Sequence, residues 1–205
     1  MDLDEEDKES IKVILIGDEG VGKTNLINVA SGRGFNENEK SSLTASYLKK
    51  LVKLNDKYYI IFLWDTIGQE KLRTLSKLFF KNSKIVIYVY DITSHDTFNG
   101  LASWDKDVND IVGNEVIKGV VGNKQDLYLK EKVTEEEANN YAKTLNAKFK
   151  LTSAKKDPEG FSLFLEELLK EYLDKYGKNK DKDLMNNNIK IKKNKNKNEK
   201  KGKCC

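Results

Sequence analysis

The chain is 205 residues long with a formal net charge of +4, enough for one substantial core and a tail. Its two cysteines, Cys204 and Cys205, are adjacent at the end of the chain, which excludes a disulfide framework. No apolar run approaches membrane-spanning length, and the acidic N-terminus is the opposite of a signal peptide's basic region, so an intracellular protein is expected.

The charge is unevenly spread. Residues 1–9 carry six acids and one lysine, net −5, and residues 178–205 carry eleven lysines against Asp181, Asp183 and Glu199, net +8. The stretch between them is nearly neutral at +1. Three parts are expected: a disordered acidic arm over 1–9, a globular domain over 10–177, and a flexible Lys/Asn-rich tail over 178–205 without a packing face.

In chain order, a first strand over about 11–17 is followed by a helix to about Ser31, ended by Gly32 and Gly34. Residues 36–44 are polar. Strands over 45–54 and 57–64 form a hairpin about Asn55-Asp56. DTIGQE then opens a helical stretch ending near Asn82. Residues 84–91 are continuously apolar, as in a parallel strand buried on both faces. A helix over about 95–112 carries Phe98, Leu101, Trp104, Val108 and Ile111 on one stripe. A strand over about 115–121 leads to GNKQD, and Thr134 with Glu137 signals the cap of a helix over about 135–146. A short strand over about 147–152 ends in TSAKK, and a last helix covers about 160–175. Strands alternating with helices predict an α/β fold of three layers, a mostly parallel six-stranded sheet covered on both faces. Ligands of such sheets sit at the carboxyl ends of the strands.

The motifs fall at those ends. Gly17, Gly22, Lys23 and Thr24 fit G-x-x-x-x-G-K-[ST], a phosphate-binding loop between a strand and a helix. Glycine backbone freedom lets the N–H groups of such a loop, here Glu19, Gly20, Val21 and Gly22, point inward. With the helix N-terminus they cradle phosphate oxygens. Lys23 reaches the β- and γ-phosphates and the Thr24 hydroxyl ligates Mg²⁺. In WDTIGQE, Asp65 is placed to hold Mg²⁺ through a water, Gly68 to offer its N–H to a γ-phosphate, and Gln69 to orient an attacking water. In NKQD, the Asp126 carboxylate can accept from both N1 and N2 of guanine, a donor pair that adenine lacks, and the stem of Lys124 can cover the base beside Asn123. TSAKK supplies Ser153, the Ala154 N–H for the guanine oxygen, and Lys155. Each of the last three motifs alone reads equally as a turn.

Together, in this order, the four motifs resemble the Ras superfamily of small GTPases and, within it, the Rab family. The resemblance covers roughly Ile11 to Tyr176 plus the last two residues. Its Rab character lies in WDTIGQE, in LRTLSKLFFKNSKIVIYVYDIT, in Phe98 with Trp104, and in Cys204-Cys205. SLTASYLKKL is most similar to the endosomal branch. The resemblance implies a G domain that binds GTP or GDP with Mg²⁺ and hydrolyses GTP slowly without an activating protein. By family spacing Phe35 lies against the base and Ser42 is the Mg²⁺-binding hydroxyl of the first switch, with Thr44 as its rival by residue type. Two departures stand near the γ-phosphate: Glu19, where Rabs usually have a small or polar residue, and Ile67, where the family has alanine. They raise the alternative of a GTP-bound scaffold with impaired hydrolysis. A phosphotransferase is disfavoured by NKQD, Gln69 and the terminal thiols.

The resemblance also implies geranylgeranylation of Cys204 and Cys205, two chains being enough for stable anchoring. The tail lysines would each add up to ~1 kcal/mol on an anionic leaflet. Implied partners are effectors, an exchange factor, a GTPase-activating protein, a GDP-dissociation inhibitor and a prenylation escort protein, around a monomer cycling between cytosol and the cytoplasmic face of membranes. Nucleic acid is not expected, because the basic tail lacks interleaved aromatics and a folded platform. His95, the only histidine, is expected to begin a helix rather than to act in catalysis.

Overall fold

The computed structural model describes residues 9–39, 46–65, 79–113 and 115–177. The expectations for residues 1–8, for Ser42 and Thr44, for Ile67, Gly68 and Gln69, and for the tail with Cys204 and Cys205 lie outside the described residues.

Six strands form one sheet in the order β2-β3-β1-β4-β5-β6. They are β1 (Glu9–Ile16), β2 (Ser46–Leu54), β3 (Lys57–Asp65), β4 (Ile85–Asp91), β5 (Ile117–Asn123) and β6 (Lys148–Leu151). All neighbouring pairs are parallel except β2 with β3, as the three-layer α/β expectation requires. That one hairpin turns at Asn55 and Asp56, with φ of 48° and 61°. Two successive left-handed residues make the turn whose twist matches paired strands, and Asn and Asp tolerate it best.

The helices are α1 (Lys23–Ala30), α2 (His95–Asn99), α3 (Leu101–Val112), α4 (Glu135–Thr144) and α5 (Pro158–Tyr172). They divide between the two faces. Side chains alternate along a strand, so Val13 and Leu15 of β1 join the cluster under α1 and α5, while Ile14 and Ile16 join the one under α3 and α4. That division explains the continuous apolar runs: every residue of β4 is buried because both of its faces are covered.

Four local readings are corrected. The first strand begins at Glu9, where it pairs with Tyr59, two residues earlier than expected. The helix expected over 95–112 breaks at Gly100, between α2 and α3. Glycine is a weak helix former, and the absent side chain matters here because a Cβ at 100 would stand 2.7 Å from the Asp18 carboxylate. The last helix starts earlier than expected, at Pro158, with Asp157 accepting from the Gly160 N–H at 2.9 Å. That is the usual Asp cap with proline in the first turn. Finally, a 3₁₀ segment at Gln125–Lys130 follows β5 where only a loop was expected.

All the parallel strands run toward one edge, so the chain leaves β1 at Gly17, β3 at Asp65, β4 at Asp91 and β5 at Asn123 side by side. Gly17 has φ 145°, and a Cβ there would run into the Val89 carbonyl oxygen of β4. The loop after β1 is therefore seated directly on the neighbouring strand's backbone. Gly17→Ala is expected to cost about 3 kcal/mol or more, since backbone cannot move aside as a side chain can. Urea unfolding of the two proteins measures it; equal midpoints would contradict the close approach.

Candidate functional site

The loop from Gly17 to Thr24 joins β1 to α1. Glu19 and Gly20 are exposed at its tip, whereas Val21 is fully buried and anchors its return. Lys23 lies beneath the loop at 6% exposure, its Nζ donating to the carbonyl oxygens of Gly17 (2.9 Å) and Asp18 (2.8 Å). Burial pushes its ammonium down to about 8, against the attraction of Asp65, Asp18 and Glu19. A buried cation held by carbonyl oxygens is stabilised by an anion brought to it.

Beside it, the Thr24 hydroxyl donates to Asp65 Oδ2 at 2.7 Å, joining α1 to the end of β3. A hydroxyl and a buried carboxylate in contact are hard oxygen donors and fit Mg²⁺. Among the described residues no three His, Cys, Asp or Glu side chains converge on one point. That suits Mg²⁺ held with substrate phosphates, which needs only one or two carboxylates from the protein. Thr24 and Asp65 would hold it, and the metal would neutralise charge on the phosphates.

The base end is built from β5 and the loop after β6. Asn123 is 2% exposed. Its Nδ2 donates to the Val21 carbonyl at 2.9 Å, and its Oδ1 accepts from the Ala154 N–H at 3.2 Å. Asn123 was expected among the nucleotide-binding residues, and its amide ties the phosphate loop to the TSAKK loop. Gly22 is the other half of that joint: at φ 95°, a Cβ would collide with Asn123 Nδ2. Asp126 Oδ1 accepts from Ser153 Oγ at 2.5 Å, which orients the carboxylate expected to read guanine. Ser153 Oγ in turn accepts from the Lys156 N–H at 3.0 Å.

Lys124 takes a left-handed conformation, φ 66°, and its ammonium pairs with Asp91 Oδ2 at 2.7 Å. Burial would raise the Asp91 carboxyl, but the donations from Lys124 and from the N–H and hydroxyl of Thr93 outweigh it and hold it below the usual range. Asp91 thus fixes the Lys124 side chain against the end of β4. Phe35 is 39% exposed, and the Lys155 ammonium stands 5.8 Å from its ring centre.

Sequence reasoning missed three contributors. Asp18 fills one of the unspecified positions of the phosphate-loop motif, yet its Oδ1 accepts from the Trp104 indole at 2.8 Å, pinning the phosphate loop to α3. Trp104 was expected as a core residue, and at 1% exposure it is one; periodicity gives no sign of where an indole N–H goes. Asn25 and Asn36 form a reciprocal pair, Asn25 Nδ2 donating to the Asn36 carbonyl (2.9 Å) and the Asn36 N–H to Asn25 Oδ1 (2.8 Å), which fastens the segment after Phe35 to α1.

Lys23 generates a test of stability against function. Its folded value of about 8 lies below the unfolded value, so the folded chain binds fewer protons across that window and stability rises with pH there. A shift of that size corresponds to about 3 kcal/mol. Lys23→Met is therefore expected to flatten the rise between pH 8 and 10. It should at the same time abolish nucleotide binding. Denaturant melts at several pH values decide it, and a Lys23→Met protein whose stability rises between pH 8 and 10 as steeply as wild type's would contradict the reading.

Residues 12–174 match the Ras family. Ras-related protein Rab-21 of Bos taurus is 38% identical over 157 residues, covering 77% of this chain and 71% of its own. Rab-21 of Homo sapiens is 38% identical with 77% and 70% coverage, and Rab-22A of Homo sapiens is 35% identical over 156 residues with 76% and 80% coverage. The chain belongs to the Ras family as a Rab small GTPase, a GTP hydrolase that binds GTP or GDP with Mg²⁺.

Proposed function

We propose that this GTPase is a nucleotide-dependent switch of vesicular traffic, acting on the cytoplasmic face of endosomal membranes. The observation that carries the switch is the clamp at Asn123, which makes the phosphate loop and the base loop one unit. A nucleotide filling both ends bonds to a single prearranged frame. GTP with Mg²⁺ then adds contacts to Ser42, Gly68 and Gln69 that GDP cannot supply, and hydrolysis releases them.

In the reaction, Lys23 moves from the Gly17 and Asp18 carbonyls to the β- and γ-phosphate oxygens, where its charge is more strongly opposed. The loop N–H groups hold the phosphates in line. Gln69 orients the attacking water, and the Gly68 N–H stabilises the γ-phosphate as charge develops on it. Asp126 accepts from guanine N1 and N2, and the Ala154 N–H donates to the guanine oxygen.

Effector recruitment is supported by a row of rings on β2 and β3. Tyr47, 47% exposed, lies 5.4 Å from Phe62 and 5.0 Å from Trp64, and Trp64 lies 5.7 Å from Phe79. Half-exposed aromatics in contact are the usual anchors of protein interfaces. β2 and β3 lie between the two switch segments in sequence, so the surface would be completed only when those segments close on GTP. The endosomal assignment rests on the likeness of SLTASYLKKL to that branch and on the Rab-21 and Rab-22A relatives. Lipidated Cys204 and Cys205, aided by the tail lysines, would supply the anchor. The scaffold alternative gains nothing at Glu19, which is exposed at the tip of its loop.

Two measurements test this reading. Asp126→Asn should weaken guanine nucleotide binding and favour xanthine nucleotides, whose 2-position is a carbonyl acceptor; unchanged GTP affinity would contradict the role of Asp126. Single-turnover hydrolysis should fall by about tenfold or more in Gln69→Leu, the loss of water positioning. Glu19→Gly should stay within about twofold of wild type, under 0.5 kcal/mol of barrier. A severalfold faster Glu19→Gly would restore the impaired-scaffold reading.

A further inference from the structure

The two sides of the nucleotide site meet at one further point. Lys155, on the loop after β6, donates to Glu37 Oε1 at 2.8 Å, a contact between residues 118 apart in sequence. Neither end of this pair is loose. On one side the segment carrying Glu37 is fastened to α1 by the reciprocal Asn25–Asn36 pair. Glu39 Oε2 accepts from Asn28 Nδ2 at 3.3 Å and from Asn36 Nδ2 at 3.1 Å, and the Arg33 N–H reaches the Asn28 carbonyl at 2.8 Å. On the other side, Lys155 follows Ala154, whose N–H is held by Asn123, and precedes a turn closed by the Asp157 N–H on the Ser153 carbonyl at 2.8 Å.

The pair also stands over the base end. The Lys155 ammonium faces the ring of Phe35 at 5.8 Å and lies within the field of Asp126, while Glu37 follows Phe35 by two residues. A base held by Asp126 and covered by Phe35 therefore has this bridge across its exit.

We propose that the Glu37–Lys155 ion pair is a latch on nucleotide release, so that an exchange factor or any anion competing for Lys155 opens the site by breaking it. This rests on the guanine-site reading above. The pair is solvent-exposed, at 42% for the Lys155 side chain and 74% for Glu37. It is therefore a weak, salt-sensitive closure that sets a rate, not a structural bond whose loss unfolds the domain.

The test is the release of N-methylanthraniloyl-GDP from the full chain with Mg²⁺, chased by excess GDP. Glu37→Gln and Lys155→Gln should each release about two- to fivefold faster than wild type, the range that an exposed ion pair commands. The charge exchange Glu37→Lys with Lys155→Glu should bring the rate back toward wild type, a rescue that a general packing defect would not show. High salt should accelerate wild type and leave Glu37→Gln unchanged. Wild-type release from Glu37→Gln, or a charge-exchanged protein as fast as the single variants, would overturn the latch while leaving the guanine site standing. Failure of the wild-type chain to bind the labelled GDP at all would overturn the guanine site and the latch with it.

Discussion

The buried amide of Asn123 is the constraint on which the rest of the site depends. A primary amide offers donor and acceptor from one planar group, and here each is spent on a different backbone: Nδ2 on Val21, Oδ1 on Ala154. Both bonds are out of water, where leaving either partner unmade costs about 1–3 kcal/mol. The side chain is placed by the sheet, because Asn123 is the last residue of β5 and lies opposite Asp91 of β4. The parallel register thus dictates how far the phosphate loop stands from the loop that carries Ser153 and Ala154. Gly22 makes that distance possible, since any side chain there would occupy the amide's place.

Around this clamp the site is arranged for binding more than for stability. Lys23 is buried with carbonyl oxygens for partners, and its proton is held less tightly than in water. Burial disfavours the cation by itself and favours an anionic phosphate beside it, so the same burial that lowers its proton affinity favours the ligand. The Thr24 hydroxyl and the Asp65 carboxylate lie in contact, two hard oxygen donors that would both serve Mg²⁺. Asp18 extends the frame outward: through the Trp104 indole it fastens the loop to α3, on the far face of the sheet from α1. The phosphate loop is therefore fixed at Gly17 by β4, at Asp18 by α3 and at Val21 by β5.

Much of this was legible in the sequence, because local spacing carries it. The phosphate loop needs glycines, lysine and threonine at fixed separations on one short segment, and NKQD needs its carboxylate three residues after the asparagine. The buried strands announce themselves by unbroken apolar runs, and the hairpin by Asn55-Asp56. What stayed hidden is nonlocal or polar. Helical periodicity runs straight through Gly100, and only the approach of Asp18 reveals why that position carries no side chain. The same periodicity assigned Trp104 to the core without showing its hydrogen bond. Asn123 was expected to bind nucleotide, and its clamp could not be foreseen, since one partner is 102 residues away. Phe35 was placed by family spacing, but its companion Lys155 and the bond to Glu37 join parts of the chain that no motif links.

The central claim is that a phosphate end served by Mg²⁺ and a base end specific for guanine are one prearranged site. Calorimetric titration of GDP and ADP into the nucleotide-stripped full chain, with Mg²⁺ and again with a chelator, tests it most directly. GDP should bind tightly at one site and lose affinity when Mg²⁺ is removed. ADP should bind roughly ten-thousandfold more weakly, as expected where a site built to hydrogen-bond a donor pair meets a base that lacks it. ADP binding comparable to GDP, or GDP binding indifferent to Mg²⁺, would contradict the account.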